Sequence, residues 1–236
     1  MLDNHWCASV DATIDLRTGC NALEKHGPQA VIVHADAWAP VAAVADPHDI
    51  RQVIDYEVIF LAIGAVASNG MLGLDGWLPW DIPEELAYFE ETVAGAALVI
   101  GRLTYESMDV VPPDSFVVSN QPGLALRPGC IQVDSVEKGL LTATATGKDV
   151  FVIGGASIYA AAWPYCQRFY LTRIGMPFAG DTLFPESIPL DLWTVISDVR
   201  KTYRERKSGC EVECRFLQYE QPRPRQLPTG DLAPAG

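Results

Sequence analysis

Hydrophobic positions in the first 56 residues fall in short β-like runs at 30–34 and 41–45, separated by Ala, Asp and Pro and without a repeat or motif. From Glu57 the pattern changes. Val58-Ile59-Phe60-Leu61-Ala62-Ile63-Gly64-Ala65-Val66 is an unbroken apolar run of strand length, which predicts a strand buried on both faces. Short β-rich runs bounded by Gly, Pro or Asp follow at 97–100, 116–119, 131–133, 150–153 and 169–174. Plausible helices lie between them at 103–108, 136–144 and 157–163. Strand and helix alternate, so the expected class is α/β with a mainly parallel sheet. Residues 193–199 and 213–219 read as a closing antiparallel pair on one edge, and the Pro-rich QPRPRQLPTGDLAPAG from Gln221 as a disordered tail. The expected organisation is an extension over 1–56, a core domain over 57–220 and a tail over 221–236.

The alternation is interrupted after the first core strand by NGMLGLDGWLPWDIPEELAYF, residues 69–89. Gly70, Gly73 and Gly76 give this loop many accessible backbone states, and Leu78-Pro79-Trp80 sets its exit by biasing Leu78 away from helix. It reads as a flexible lid. A helix then begins: Asp81 is the expected cap, Pro83 stands in the first turn, and Glu84 sits where a capping box needs its acid. Leu86, Phe89 and Val93 recur at helical spacing and define the expected apolar face, with Glu85 on its border four residues from Phe89. A carboxylate there costs free energy unless something hydrogen-bonds it, which marks Glu85 as a candidate ligand-binding or proton-handling group. The plainer reading is an acid that favours a helix N-terminus.

Charge narrows the choice of function. A formal net charge of -13 without a basic run argues against nucleic acid or an anionic membrane surface as partner. No apolar span of about 20 residues and no N-terminal signal pattern is present, so the cytoplasm is the expected compartment. The six cysteines lack a CxxC pair and the four histidines all lie in the first 48 residues, so no metal site is expected and the thiols are read as free. His34 with Asp36, and His48 with Asp49, read as ordinary surface pairs.

Three strand ends carry one kind of signal: Gly101-Arg102-Leu103-Thr104, Ser119-Asn120-Gln121 and Gly154-Gly155-Ala156-Ser157. Each places backbone amides or hydroxyls at a strand's carboxyl end, where α/β sheets bind ligands, and Arg102 adds a cation for a phosphate ester. None is GxGxxG, and any one alone reads equally as a tight turn. Three in succession point to a phosphorylated cofactor.

Residues 57–219 resemble the dihydrofolate reductase family. NGMLGLDGWLPWDIPEELAYF is similar to the family's lid and acid-bearing helix, GRLTYESM and VSNQPG to its cofactor-phosphate turns, VIGGASIY to its glycine turn, and YLTRI with GDTLFPE to its later signatures. The resemblance implies an eight-stranded mixed, mainly parallel sheet flanked by helices, the cofactor NADPH, and reduction of a dihydropteridine, 7,8-dihydrofolate above all. It further implies that Glu85 hydrogen-bonds the pteridine ring, that Thr172 supports that acid and that Trp80 orders a nearby water. Ile63 and Ala65 would touch the pterin, with Leu78, Leu86, Phe89, Ile153 and Tyr159 beside it. The dinucleotide would lie on Ala65, Gly73, Gly101, Arg102, Leu103, Thr104, Ser119, Asn120, Gln121, Gly154, Gly155, Ala156, Ser157, Ile158 and Tyr159.

One departure bears on the substrate. Family members hold the substrate's glutamate carboxylate with an arginine before the third strand, whereas this chain has Val110-Val111-Pro112-Pro113-Asp114 there. Asp114 would repel such a tail, and Glu90, Glu91 and Asp109 add negative charge nearby. Two alternatives therefore stand beside the folate reading: a reductase of a related dihydropterin without that tail, similar to dihydromethanopterin reductases, and a non-catalytic pterin- or nucleotide-binding protein.

Overall fold

The computed structural model describes residues 59–227 and, of the preceding segment, two strands at 5–16 and 29–40. The chain divides into two compact units, Met1–Glu57 and Val58–Gly236. In the first, β1 (His5–Leu16) and β2 (Gln29–Pro40) pair antiparallel from His5 opposite Pro40 to Leu16 opposite Gln29. The β-like run at 30–34 falls within β2. The run at 41–45 and the His48-Asp49 pair lie outside the described residues.

The second unit is built on β3 (Phe60–Ala67), whose neighbours are both parallel to it. In chain order there follow β4 (Met71–Gly73), α1 (Pro83–Thr92), β5 (Ala97–Gly101), α2 (Arg102–Ser107), β6 (Ser115–Val118) and β7 (Cys130–Val133). Then come α3 (Val136–Thr144), β8 (Val150–Gly154), α4 (Ala156–Ala162), β9 (Cys166–Ile174), β10 (Thr182–Leu183), β11 (Thr194–Arg204) and β12 (Glu211–Glu220). The main sheet has eight strands in the order β11-β12-β9-β3-β8-β5-β6-β7; β9 to β7 are parallel, and β12 and β11 close one edge antiparallel.

The unbroken apolar runs follow from helices on both faces of this sheet. Phe60, Ala62, Val99 and Val152 point into one core, which takes in Leu140 and Ala143 of α3 and Ile158 and Ala162 of α4. Their neighbours in sequence, Leu61, Ile63, Leu98, Ile100 and Ile153, point into a second core, with Phe89 of α1 and Tyr105 of α2 packed against it. Period-two geometry sends alternate residues to opposite faces, and both faces here are dry.

Two expectations gain detail at this level. The loop after β3, read as a flexible lid, carries defined backbone pairing. β4 pairs with β10, and the Asp181 N–H donates to the Gly73 carbonyl at 3.0 Å. Leu74 and Trp77 exchange both backbone hydrogen bonds at 2.9 Å around Asp75 (φ 52°) and Gly76 (φ 82°). Asp-Gly at the centre of a two-residue hairpin suits a turn that needs positive φ at both positions, so Gly76 serves a specific geometry. The run from Gln221 is likewise anchored at its start. Gln221 is buried and its Nε2 donates to the Cys166 carbonyl at 2.8 Å, while Leu227 packs on the first core. Residues 228–236 lie outside the described residues.

Candidate active site

α1 begins with Pro83 at its first turn and Ile82 as its cap residue, without a side-chain cap. Asp81 was the expected cap, but its backbone is taken elsewhere. Its N–H donates to Glu205 Oε1 at 3.0 Å and its carbonyl accepts from the Arg206 N–H at 2.9 Å. The Lys207 ammonium adds a bond to the Pro79 carbonyl at 3.2 Å. The turn between β11 and β12 thus grips residues 79–81, directly before the acid-bearing helix.

The helix is also rotated from the expected face. Leu86 is 46% exposed, whereas Glu85 is 5% exposed and is the buried residue of α1. Burial raises its carboxyl from 4.5 to about 7, and the side chains of Trp80 and Thr172 offset part of that rise. Thr172 lies on β9 opposite Ala65 of β3, so the hydroxyl is positioned by sheet register. The Trp80 indole N–H is a buried donor that completes no hydrogen bond, even though it faces the anion closely enough to favour it. A buried unpaired donor costs about 1–3 kcal/mol, so Trp80 and Glu85 present one donor and one half-satisfied acid to the same space. A cavity of about 260 Å³ opens there, lined by Leu78, Trp80, Ile82, Glu85, Leu86 and Arg206 among others.

Ile63 and Ala65 of β3 and Ile153 of β8 are all buried, with Phe89 partly buried beside Ile63 and Ile153 in the second core. Tyr159 lies beneath two glycines, Gly64 and Gly154. Its hydroxyl donates to the Ile63 carbonyl at 2.6 Å inside the core, and burial holds its pKa well above the usual value. It therefore braces β3 from below, and its ring is the reason residues 64 and 154 are glycine: a Cβ would lie 2.5 Å from its Oη at Gly64 and 2.8 Å from its ring at Gly154.

Two of the three turns converge. A Cβ on Gly101 would lie 2.8 Å from Ile158 Cγ1 and 3.3 Å from the Gly154 carbonyl, and one on Gly155 would lie 3.3 Å from Thr104 Oγ1. The ends of β5 and β8 thus form a cradle of bare backbone that side chains would fill. The Gly154–Gly155 peptide is cis and Gly154 has φ 101°. Ala156 is partly buried, Ser157 and Leu103 are exposed, and Gly73, in β4, is partly buried. Arg102 opens α2 and pairs with Glu106 at 2.7 Å, a surface pair worth little, which leaves its guanidinium available to a stronger anion. The third turn is held shut by a residue the motif reading missed. Gln132 Nε2 donates to the Ser119 and Gln121 carbonyls, both at 2.8 Å, while Ser119 Oγ accepts from the Gln121 N–H and Asn120 is exposed. The only signal for Gln132 was a polar residue between two apolar ones in a short strand. Glu205 had no signal, because its role exists only once the β11–β12 turn reaches residues 79–81.

A sheet of this order, an acid on the first helix and a glycine cradle at adjacent strand ends define a nucleotide-dependent α/β enzyme class. Comparison assigns the family. The family model described as dihydrofolate reductase matches residues 59–221. The Bacillus subtilis protein named dihydrofolate reductase is 36% identical over 160 residues, covering 67% of this chain and 92% of that protein. The Haloferax volcanii dihydrofolate reductase HdrB is 34% identical over 142 residues, covering 56% of this chain and 73% of the relative. Among solved structures, a dihydrofolate reductase from Enterococcus faecalis complexed with NADP(H) and RAB-propyl superposes with a TM-score of 0.62 at 30% identity, covering 71% of this chain and 98% of that one. The chain belongs to the dihydrofolate reductase family.

Proposed function

We propose that this chain reduces 7,8-dihydrofolate to tetrahydrofolate with NADPH. The observation that carries the reading is the Glu85 carboxyl, buried beside Thr172 and Trp80 and poised near pH 7 at the foot of a cavity. The name of the Bacillus subtilis relative and the NADP(H) in the Enterococcus faecalis complex support it.

When bound, NADPH supplies the hydride for the ring's C=N bond. The chain's residues do the rest. Glu85, braced by Thr172, anchors the pterin's amino edge and fixes the ring's orientation, while Ile63 and Ala65 meet it from β3 and Leu78, Leu86, Phe89 and Ile153 wall it. Because Glu85 titrates near 7, its hydrogen bonds polarise the ring so that N5 takes up a proton from water admitted past Leu78, which is 44% exposed at the cavity lip. Trp80 offers its free indole N–H to that water. The bare backbone of Gly101, Gly154 and Gly155 admits the dinucleotide, with Ala65, Gly73, Leu103, Thr104, Ala156, Ser157 and Ile158 around it. Arg102 and the Ser119-Asn120-Gln121 turn hold its phosphates. The paired β4 and β10 exclude bulk water from above.

The proposed organisation is a reductase domain over 57–220 with an N-terminal extension over 1–56, acting in the cytoplasm on small molecules, with neither nucleic acid nor membrane as partner. Among the described residues no helix is long and apolar enough to cross a membrane. The test is direct: with NADPH and dihydrofolate, nicotinamide absorbance should fall only when both are present. Absence of turnover with dihydrofolate and with a tail-less dihydropterin would sink the reductase reading.

A further inference from the structure

The segment 110–114 lacks an arginine, yet a guanidinium reaches its neighbourhood from the next loop. Residues 127–130 are stitched to it. The Asp114 N–H donates to the Gly129 carbonyl at 2.9 Å, and Gly129 packs so closely on Pro113 that a Cβ would lie 2.8 Å from the proline's own. Arg127 stands at the start of this stretch. Its backbone N–H donates to the Tyr105 hydroxyl at 2.7 Å and its guanidinium lies 5.2 Å from that ring's centroid. Nη2 donates to the Met108 carbonyl at 2.6 Å, while Nη1 is buried without a partner. A planar fork with one arm on a neutral carbonyl and the other idle is matched by a carboxylate, which takes both arms at once.

The surroundings fit such a ligand. Tyr105, Met108, Val111, Leu124 and Leu126 belong to the same apolar cluster as Ile63, Phe89 and Ile153, so the packing beside the guanidinium is continuous with the packing beside the residues that would wall the ring. Asp114, the acid expected to repel a tail, has the Lys148 ammonium at 2.7 Å as a surface counter-charge. Arg102 is assigned to the cofactor's phosphates, and Arg206 borders the Glu85 cavity as an exposed side chain on a turn. We propose that Arg127 is the specificity-determining cation of the substrate site and binds the carboxylate of the pterin's tail, in place of an arginine at 110–114. Because Nη1 is enclosed, engagement requires the neighbouring loop to shift. The inference rests on the reductase reading and decides between a tailed and a tail-less dihydropterin in favour of the first.

The experiment compares the full chain with Arg127→Gln, Arg127→Lys and Arg206→Ala on dihydrofolate and on 6-methyl-7,8-dihydropterin. Arg127→Gln should raise KM for dihydrofolate about tenfold or more, with kcat/KM for the tail-less substrate unchanged within about twofold. Arg127→Lys should recover part of the loss, and Arg206→Ala, at the Glu85 cavity, should show no loss confined to dihydrofolate, any change falling on both substrates alike. Equal losses on both substrates would reduce Arg127 to a structural role; no loss on either, or the dihydrofolate loss appearing in Arg206→Ala instead, would also overturn the assignment. If Arg127→Gln does not fold, Arg127→Met keeps the stem's packing and carries the same comparison. Turnover of neither substrate by the unmodified chain would strike the reductase reading alone. The assignment is then read from tryptophan-fluorescence titration with folate and with pterin, and a ratio of dissociation constants unchanged by the substitution overturns it.

Discussion

Holding Glu85 at about 7 against 4.5 in an unfolded chain couples folding to pH. The folded chain retains the proton that the unfolded one has lost, so this group's contribution is fully present below about 4.5, declines as pH rises and is gone above about 7. The difference corresponds to about 3 kcal/mol. Glu85→Gln, neutral and nearly isosteric, should therefore be more stable than the natural chain at pH 8 and equal to it near pH 4, as denaturant titrations at the two pH values would show. The same variant should lose about a hundredfold or more of kcat/KM near neutrality while binding NADPH normally, and should lose the alkaline fall in rate centred near 7. An unchanged rate would remove Glu85 from the mechanism. Arg102 belongs to this scale too. Because its surface pair with Glu106 is weak, Arg102→Ala should weaken NADPH more than NADH in equilibrium titrations, and equal weakening would mean that it does not read the additional phosphate. The placement of both residues was legible in the sequence, Glu85 from an acid beside an apolar helical face and Arg102 from its position at a helix start after a strand end. The true helix face was not, because Leu86 and Glu85 are adjacent and only packing against the sheet chose which of them turned inward.

Among elements, the hairpin turn between β11 and β12 organises more than its edge position suggests. Burial would raise the Glu205 carboxyl, but the side chain and N–H of Ser208 and the N–H groups of Asp81 and Lys207 outweigh it and hold it at about 2. Its stabilisation is present above about 4.5 and is lost as pH falls toward 2, the opposite direction to Glu85. Glu205→Gln should blunt that acid loss. It should also speed amide exchange at Asp81 and Ser208 by about tenfold or more, while exchange within β5 and β8 stays unchanged. Uniform acceleration would indicate general destabilisation instead of a local clamp. The lid makes the complementary case: Gly70, Gly73 and Gly76 read as freedom, but pairing with β10 places Gly73 in a strand and the Leu74–Trp77 bridge places Gly76 in a hairpin turn.

At the scale of the whole molecule, the core clusters among the described residues lie within 60–227, the family match covers 59–221, and the chain divides at Glu57. A chain beginning at Val58 should therefore fold in one cooperative transition and keep its turnover of dihydrofolate within about threefold, checked by thermal unfolding and the nicotinamide assay. Collapse of either would give the first 57 residues a part in the fold or the site. What the chain's own pattern determined was local and periodic: which runs are strands, that both sheet faces are covered, where glycine turns interrupt strand ends, and which acid lies against an apolar face. These are legible because period-two and helical spacing are properties of neighbouring residues. Only the tertiary structure decided the pairing of β4 with β10, the grip of Glu205 on Asp81, the closure of the third turn by Gln132 and the bonding of Arg127 to Tyr105 and Met108. Each joins segments whose separation in sequence carries no periodic signal, and each exists only after the sheet has brought them within hydrogen-bond reach.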